Sequence, residues 1–350
     1  MEETKRTYNL LIASYLEPHH VEKIRNVNPR INVLYEPTLI APQRFPADHI
    51  GGPFHRSGKQ EKQWKSLLKI ADILFDFDRT HYEDLPELAP NVKWIQTTSS
   101  GIGQIISRMK YNVRMSHTIF TSAKGVHAQP LAEFCLMVML AFNKKLLPMI
   151  KSQKNRHWER FAGTDLRNRT IGIIGMGKVG LEVARLSKCL GMNVLGLKRD
   201  ADGIDPSSLH VDELFSKDDI NMILPRSEYL VIITPHTSET EKMIGEEQFN
   251  MLPKGAILIN IGRGVVINEP ALIKALQSGH LGGAGLDVFE VEPLPESSPL
   301  WMMDNVIVSP HSAGTSDREN TLITNIFCAN IKNYLEGEPL VNIFNADQMF

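Results

Sequence analysis

The sequence predicts an α/β chain in two parts, the larger built on a parallel, doubly wound sheet. Three observations carry this. Short apolar runs of strand length alternate with helical stretches along most of the chain. One such run leads straight into a glycine-rich turn, Gly175-Met176-Gly177-Lys178-Val179-Gly180, that opens a helical stretch. At 350 residues the chain is long enough for two ordinary domains.

The first part reads as a small α/β unit. Asn9–Ala13, Ile31–Tyr35, Ile73–Phe75 and Lys93–Thr97 are strand-like, with helical stretches between them. Residues 37–63 are crowded with proline and glycine (Pro37, Pro42, Pro46, Gly51, Gly52, Pro53, Gly58) and are expected to form a long loop. Leu131–Phe142 is apolar at nearly every position. It predicts a helix buried between two packing surfaces, and its methionines suit packing against another subunit. Leu147-Pro148 marks a break or kink, followed by a polar helix to about Phe161.

From Thr170 the rhythm becomes regular. Ile171–Ile174 is a strand, the glycine turn follows, and Val179–Leu190 is helical with Gly191 as its C-cap. Asn193–Leu197, Tyr229–Ile233, Ala256–Asn260 and Gly285–Val288 are further strands, separated by helical segments such as Glu269–Gln277. In the tail, Leu322, Ile323, Ile326, Phe327, Ile331 and Tyr334 line one face of a helix over Asp317–Tyr334, ended by Gly337. This helix is expected to return to the first domain.

Composition narrows the function classes. With 42% apolar and 22% charged residues and a net charge of −2, the chain has the make-up of a globular protein. It shows no polybasic signature for nucleic acid or membrane surfaces. The run Tyr8–Ser14 is too short for a signal peptide core and reads as the first strand. The Leu131–Phe142 run falls far short of the ~20 residues that span a bilayer. Cys135, Cys189 and Cys328 are isolated, with no metal-ligand spacing. Buried, reduced thiols and a cytoplasmic location are the expectation.

In a strand–turn–helix, the first glycine permits the tight turn and the second lets backbone approach a pyrophosphate. The third allows close helix–strand packing, and the helix N-terminus faces the phosphates. Gly175, Gly177 and Gly180 hold those three places, so the segment predicts dinucleotide binding. An acidic residue at the end of the next strand would bond a ribose and repel a 2′-phosphate. Here that strand ends in Lys198-Arg199-Asp200. Two adjacent cations suit a 2′-phosphate and favour NADP, while Asp200 could instead serve the ribose of NAD.

Several further motifs make a resemblance specific. They are Thr234-Pro235-His236-Thr237, Leu258–Gly264, Gly285–Phe289, Val291-Glu292-Pro293-Leu294 and Ser309-Pro310-His311-Ser312-Ala313. Upstream, Ser99–Gly103 and Gly125-Val126-His127 through Glu133 join them. With the glycine turn, these resemble the D-isomer-specific 2-hydroxyacid dehydrogenase family over nearly the whole chain. The resemblance implies a Rossmann cofactor domain at 122–312, inserted in a smaller, flavodoxin-like substrate domain at 1–121 and 313–350. It places the active site in the cleft between them and implies a homodimer.

The resemblance also assigns roles that agree with the chemistry. Reducing a 2-keto acid requires a hydride at the carbonyl carbon and a proton on its oxygen. Arg263 offers a planar fork of donors to the carboxylate and keto oxygen. His311, whose ordinary pKa is about 6.5, is the proton donor. Glu292 holds the ring and favours its charged form. Lys178 and Val179 supply backbone to the pyrophosphate. Thr234 and Pro235 lie against the cofactor, and Asp287 with the carbonyl of Ile261 binds the nicotinamide amide. Backbone around Ser100, Gly101 and Ile102 takes the substrate carboxylate, unless Ser99–Gly103 is only a structural turn.

Arg79 is a candidate for the substrate side chain. His127 and His236 are expected in supporting roles, and Trp64, Trp94, Trp158 and Trp301 as packing groups. The activity implied is interconversion of a small 2-keto acid and its D-2-hydroxy acid, with glyoxylate or hydroxypyruvate first among substrates and NADP or NAD as cofactor. A nucleotide-sensing scaffold with little turnover is the alternative. No added regulatory domain is expected after the closing helix.

Overall fold

The computed structural model describes residues 6–345. The chain forms two compact units, one from the residues up to Val126 together with those from Thr315, the other His127–Gly314. Both are parallel α/β sheets, as alternating strand and helix patterns require.

The first unit holds β1 (Tyr8–Ile12), β2 (Ile31–Leu34), β3 (Ile73–Phe75), β4 (Trp94–Gln96) and β5 (Ile119–Thr121). They are all parallel in the order β2-β1-β3-β4-β5, which is the flavodoxin-like order. The closing helix Glu319–Glu336 packs here: Phe327 lies 5.1 Å from both Phe75 and Trp94, ring centre to ring centre. It ends on Gly337 in the left-handed region, φ 77°.

The second unit holds β6 (Thr170–Ile174), β7 (Asn193–Lys198), β8 (Glu213–Ser216), β9 (Tyr229–Ile232), β10 (Ala256–Asn260), β11 (Leu281–Leu286) and β12 (Val306–Val308). Their order is β12-β11-β10-β9-β6-β7-β8. Counted from β6, this is the 3-2-1-4-5-6 order of a Rossmann sheet with one strand added. The chain reverses direction of growth between β6 and β9, and ligands of such sheets bind outside the carboxyl ends of the strands at that switch point.

Several expectations are corrected. The 37–63 segment is not one loop: the helix Gly58–Ile70 begins inside it. Ser57 caps that helix, its side chain accepting from Gln60 N–H while the Gln60 side chain accepts from Ser57 N–H. Gly58, which reads as a breaker, sits in the first turn, where a cap outweighs propensity. The apolar run belongs to a helix Ala128–Asn143 that is buried on one side only. Ala132, Cys135, Val138 and Met139 face the core, whereas Met137 (46%) and Leu140 (41%) are exposed.

Pro148 breaks nothing, because it lies in the first turn of the helix Leu146–Lys154, where no intrahelical N–H is lost. That helix stops at Lys154 rather than near Phe161. Trp158, expected to pack, is 92% exposed. Cys189 is exposed while Cys135 and Cys328 are buried. The strands β5, β8 and β12 are three or four residues long, too short to stand out in the sequence. No described helix is long and apolar enough to cross a membrane, and no described cluster of His, Cys, Asp and Glu could hold a metal.

Candidate active site

The site residues of the second unit lie along the carboxyl edge of its sheet. β6 runs into the glycine turn, and the amides of Gly175 and Met176 donate to the Leu197 carbonyl at 3.0 and 3.2 Å. The turn is thereby tied to the end of β7, which carries Lys198 and Arg199 into its neighbourhood. Gly175 has φ +114°, and a Cβ on Gly180 would lie 2.2 Å from the Gly175 oxygen, so both must be glycine for protein reasons. Gly177 differs. Its φ is −88° and a Cβ there would meet no protein atom within 4 Å. Glycine at this exposed position fits close approach of a ligand to the backbone, at the start of the twelve-residue helix Lys178–Cys189.

The edge continues from strand to strand. Beyond β9, the Thr234 hydroxyl is buried and has no protein hydrogen-bond partner, and Gly262 packs against the Thr234 backbone. Ile261 N–H donates to Ile232 O at 3.2 Å. Asn260, at the end of β10, brackets the turn that follows. Its Oδ1 accepts from Gly262 N–H at 3.1 Å and its Nδ2 donates to Arg263 O at 3.2 Å. Arg263 folds back to donate from Nη1 to the Gly262 carbonyl at 2.7 Å.

Asp287 follows β11 and is buried. Its Oδ1 accepts three donors, Ser309 Oγ at 2.6 Å, Ser312 N–H at 2.8 Å and Ala313 N–H at 2.9 Å. Its own carbonyl accepts from His311 N–H at 2.9 Å. One carboxylate therefore fixes the whole 309–313 segment, including His311 at a positive φ of 54°. The role of Asp287 as loop anchor is not legible in the sequence. Ser309 and Asn260 sit inside the family motifs, but nothing there separates them from their neighbours.

Glu292 and His311 meet directly: His311 Nδ1 lies 2.8 Å from Glu292 Oε2, and Glu292 Oε1 accepts from Phe289 N–H at 3.1 Å. The bond from Glu292 raises the His311 pKa above its ordinary value, against burial. Burial pushes Glu292 the other way, but the His311 bond, the Phe289 amide and the Arg263 charge together hold it below the usual carboxylate range. Burial lowers the Arg263 pKa, opposed by Glu292 and Asp287. A guanidinium is still charged at any working pH. The arrangement is a cation beside a carboxylate–imidazole pair, with the ring anchored through Nδ1 and Nε2 left to exchange a proton.

Known proteins resemble this chain. Residues 136–313 match the family model described as "D-isomer specific 2-hydroxyacid dehydrogenase, NAD binding domain". The chain belongs to the D-isomer-specific 2-hydroxyacid dehydrogenase family. It is 31% identical over 292 residues to a D-3-phosphoglycerate dehydrogenase of Methanocaldococcus jannaschii, a match covering 83% of this chain and 54% of that protein. This chain thus spans only about half of that relative's length. It is 32% identical over 233 residues to a glyoxylate reductase of Korarchaeum cryptofilum, covering 65% of this chain and 69% of the other. Among solved structures it is similar to the family member from Xanthobacter autotrophicus Py2 in complex with NADPH and MES. There the TM-score is 0.78 at 25% identity, over 98% of this chain and all of that one.

The remaining expected residues of this family member are placed as follows. His236 Nε2 lies 3.4 Å from Glu241 Oε2, in the loop after β9 where Thr240 Oγ1 donates to Pro235 O at 2.7 Å. His127 packs against Gly314. In the first unit, Ser100 Oγ donates to Ala123 O at 3.1 Å and Gly101 N–H to Ser99 Oγ at 3.3 Å, while Ile102 is buried. Arg79 lies 3.5 Å from the buried Asp76, to which Thr98 Oγ1 also donates at 3.0 Å. Burial works to lower the Arg79 pKa, but Asp76, with Tyr82 and Asp48, more than offsets it, so its charge is held. Trp64 and Trp94 are fully buried, bonded to Asp78 and Thr121.

Proposed function

We propose that this chain is an NAD(P)-dependent D-2-hydroxyacid dehydrogenase that works mainly as a 2-keto acid reductase, on glyoxylate, hydroxypyruvate or a similar small acid. The observation that carries the reading is the 2.8 Å bond between His311 Nδ1 and Glu292 Oε2 beside Arg263. A family scaffold without turnover would have no need to keep an imidazole charged at this place.

The residues that would hold a dinucleotide fit it. The exposed Gly177 and the amides of Lys178 and Val179 suit a pyrophosphate at a helix start. The buried Thr234 hydroxyl offers an unused hydrogen bond. Ile261 O and Asp287 are proposed to take the nicotinamide amide. A bound nicotinamide cofactor supplies the hydride, and the chain supplies the rest. Arg263 presents paired N–H donors to the carboxylate and keto oxygen and stabilises charge developing on that oxygen. Backbone N–H groups around Ser100, Gly101 and Ile102 take the carboxylate. His311, charged through Glu292, gives its Nε2 proton to the oxygen, and in the oxidative direction takes one back.

NADP is the preferred cofactor in this reading, because Lys198 and Arg199 stand where an acid would select NAD. The similar Xanthobacter autotrophicus protein, whose structure is a complex with NADPH, supports it. A cytoplasmic location follows from the same reading. The exposed Met137 and Leu140, with Leu146, Met149 and Ile150 on the next helix, are proposed to be covered by a second copy of the chain. Sedimentation velocity should return a dimer mass, and a monomer across the micromolar range would contradict this.

The deciding experiment is a panel of 2-keto acids assayed at 340 nm with NADPH and NADH in parallel. Absorbance loss with glyoxylate or hydroxypyruvate, faster with NADPH, is expected. Tight dinucleotide binding without turnover of any acid would sink the enzyme reading in favour of a nucleotide-sensing scaffold.

A further inference from the structure

We propose that Glu269 is a positioning residue for the Glu292–His311 pair, acting through the backbone of the turn that carries Glu292. The inference rests on the catalytic reading of that pair. The turn leaves β11 at Asp287, where Asp287 N–H donates to Asn260 O at 3.0 Å. Its next amides go to two different carboxylates. Phe289 N–H donates to Glu292 Oε1 at 3.1 Å, and Glu290 N–H donates to Glu269 Oε2 at 3.0 Å. The first of these fixes the face of Glu292 turned away from His311. The second fixes the neighbouring peptide to a separate element.

That element is well anchored. Glu269 begins the helix Glu269–Gln277, whose N-cap Asn268 accepts from Ala271 N–H at 3.1 Å. Ile267, two residues earlier, forms a parallel bridge to Ile244. On its other side the peptide meets Gly264, where a Cβ would lie 1.8 Å from the Phe289 carbonyl carbon. The turn of Arg263 and the turn of Glu292 therefore lie backbone to backbone, and only glycine permits it.

Behind them is a small cavity lined by Asn260, Gly264, Ile267, Glu269, Leu272 and Phe289, among others. The contact with Gly264 restrains one side of the peptide, and the bond to Glu269 ties its N–H to a separate element. The neighbouring Lys242–Glu290 ion pair, at 3.2 Å between partly exposed groups, is a weak restraint. Without the Glu269 acceptor, the Glu290 N–H loses its bonded partner, and the turn that carries Glu292 is held less firmly in register on His311 Nδ1.

The test compares Glu269→Gln, which keeps an acceptor oxygen at the same reach, with Glu269→Asp, which keeps the charge but is one methylene short, and with Glu269→Ala. The readouts are the NMR titration of the His311 ring, the pH profile of keto-acid reduction, and NADPH binding by fluorescence. Glu269→Asp and Glu269→Ala should move the His311 midpoint down toward the ordinary imidazole value and lower kcat about tenfold. NADPH affinity should stay within about twofold, and Glu269→Gln should restore both the midpoint and kcat. An unchanged His311 midpoint in Glu269→Asp, or a shift in Glu269→Gln as large as in Glu269→Asp, overturns the proposal. The ring titration needs no turnover, so it separates failure of this inference from failure of the proposed activity.

Discussion

His311→Ala is expected to lower kcat for keto-acid reduction by about 10²–10⁴-fold, the usual worth of a placed general acid. The imidazole is the proton source for the new hydroxyl, and among the charged groups next to it neither Glu292 nor Arg263 can replace it. Glu292 is held ionised below the carboxylate range, and a guanidinium does not give up its proton. Of the groups proposed to hold the dinucleotide, His311 is bonded only to Asp287, through its backbone N–H, which alanine keeps, so NADPH affinity should change little. A stopped-flow measurement of the hydride step, with NADPH binding titrated separately, checks both halves. Loss of binding along with turnover would mean that His311 is structural. Turnover surviving within tenfold would remove it from the proton path.

Arg263→Lys is the second large effect. The guanidinium is a planar fork with one arm already engaged by the Gly262 carbonyl at 2.7 Å. That bond orients the remaining donors, and a lysine ammonium can reproduce the charge but not the paired geometry. Removing one such donor from a developing oxyanion lowers kcat by about 10²–10³-fold, and loss of carboxylate binding should raise KM for the acid as well. Steady-state kinetics on the substrate found in the panel decide the matter. If Arg263→Lys keeps kcat and raises only KM, Arg263 binds the acid without stabilising the reacting oxygen.

Much of this is readable from residue order. Gly175, Gly177 and Gly180 stand out because each occupies a fixed place in a strand–turn–helix. The long strand runs of the second unit are apolar on both faces, as a buried parallel sheet demands. The departures share a cause. Gly58 and Pro148 read as breakers, yet both fall in first helical turns, where propensity costs little. The Ala128–Asn143 helix is apolar all round, so its sequence does not tell which face stays exposed.

At the candidate site, Arg263, Glu292 and His311 are legible because they carry chemistry. Asn260, Asp287 and Glu269 hold those residues through hydrogen bonds, mostly to backbone, and such partners are set by tertiary approach rather than by spacing. In the sequence Asp287 reads as a cofactor ligand. The structure shows its Oδ1 committed to the 309–313 segment.

The central claim is that Glu292 keeps His311 charged so that it can protonate a keto oxygen. The pH profile of kcat/KM for reduction, measured for the chain and for Glu292→Gln, tests it most directly. Because the acid form is the active one and its pKa is raised, activity should persist above the ordinary imidazole value of about 6.5 and fall as pH rises through the raised pKa. In Glu292→Gln the carboxylate is gone, so that fall should move to lower pH, with the oxidative direction shifting its rise the same way. An alkaline limb that stays in place when Glu292 becomes glutamine would contradict the account.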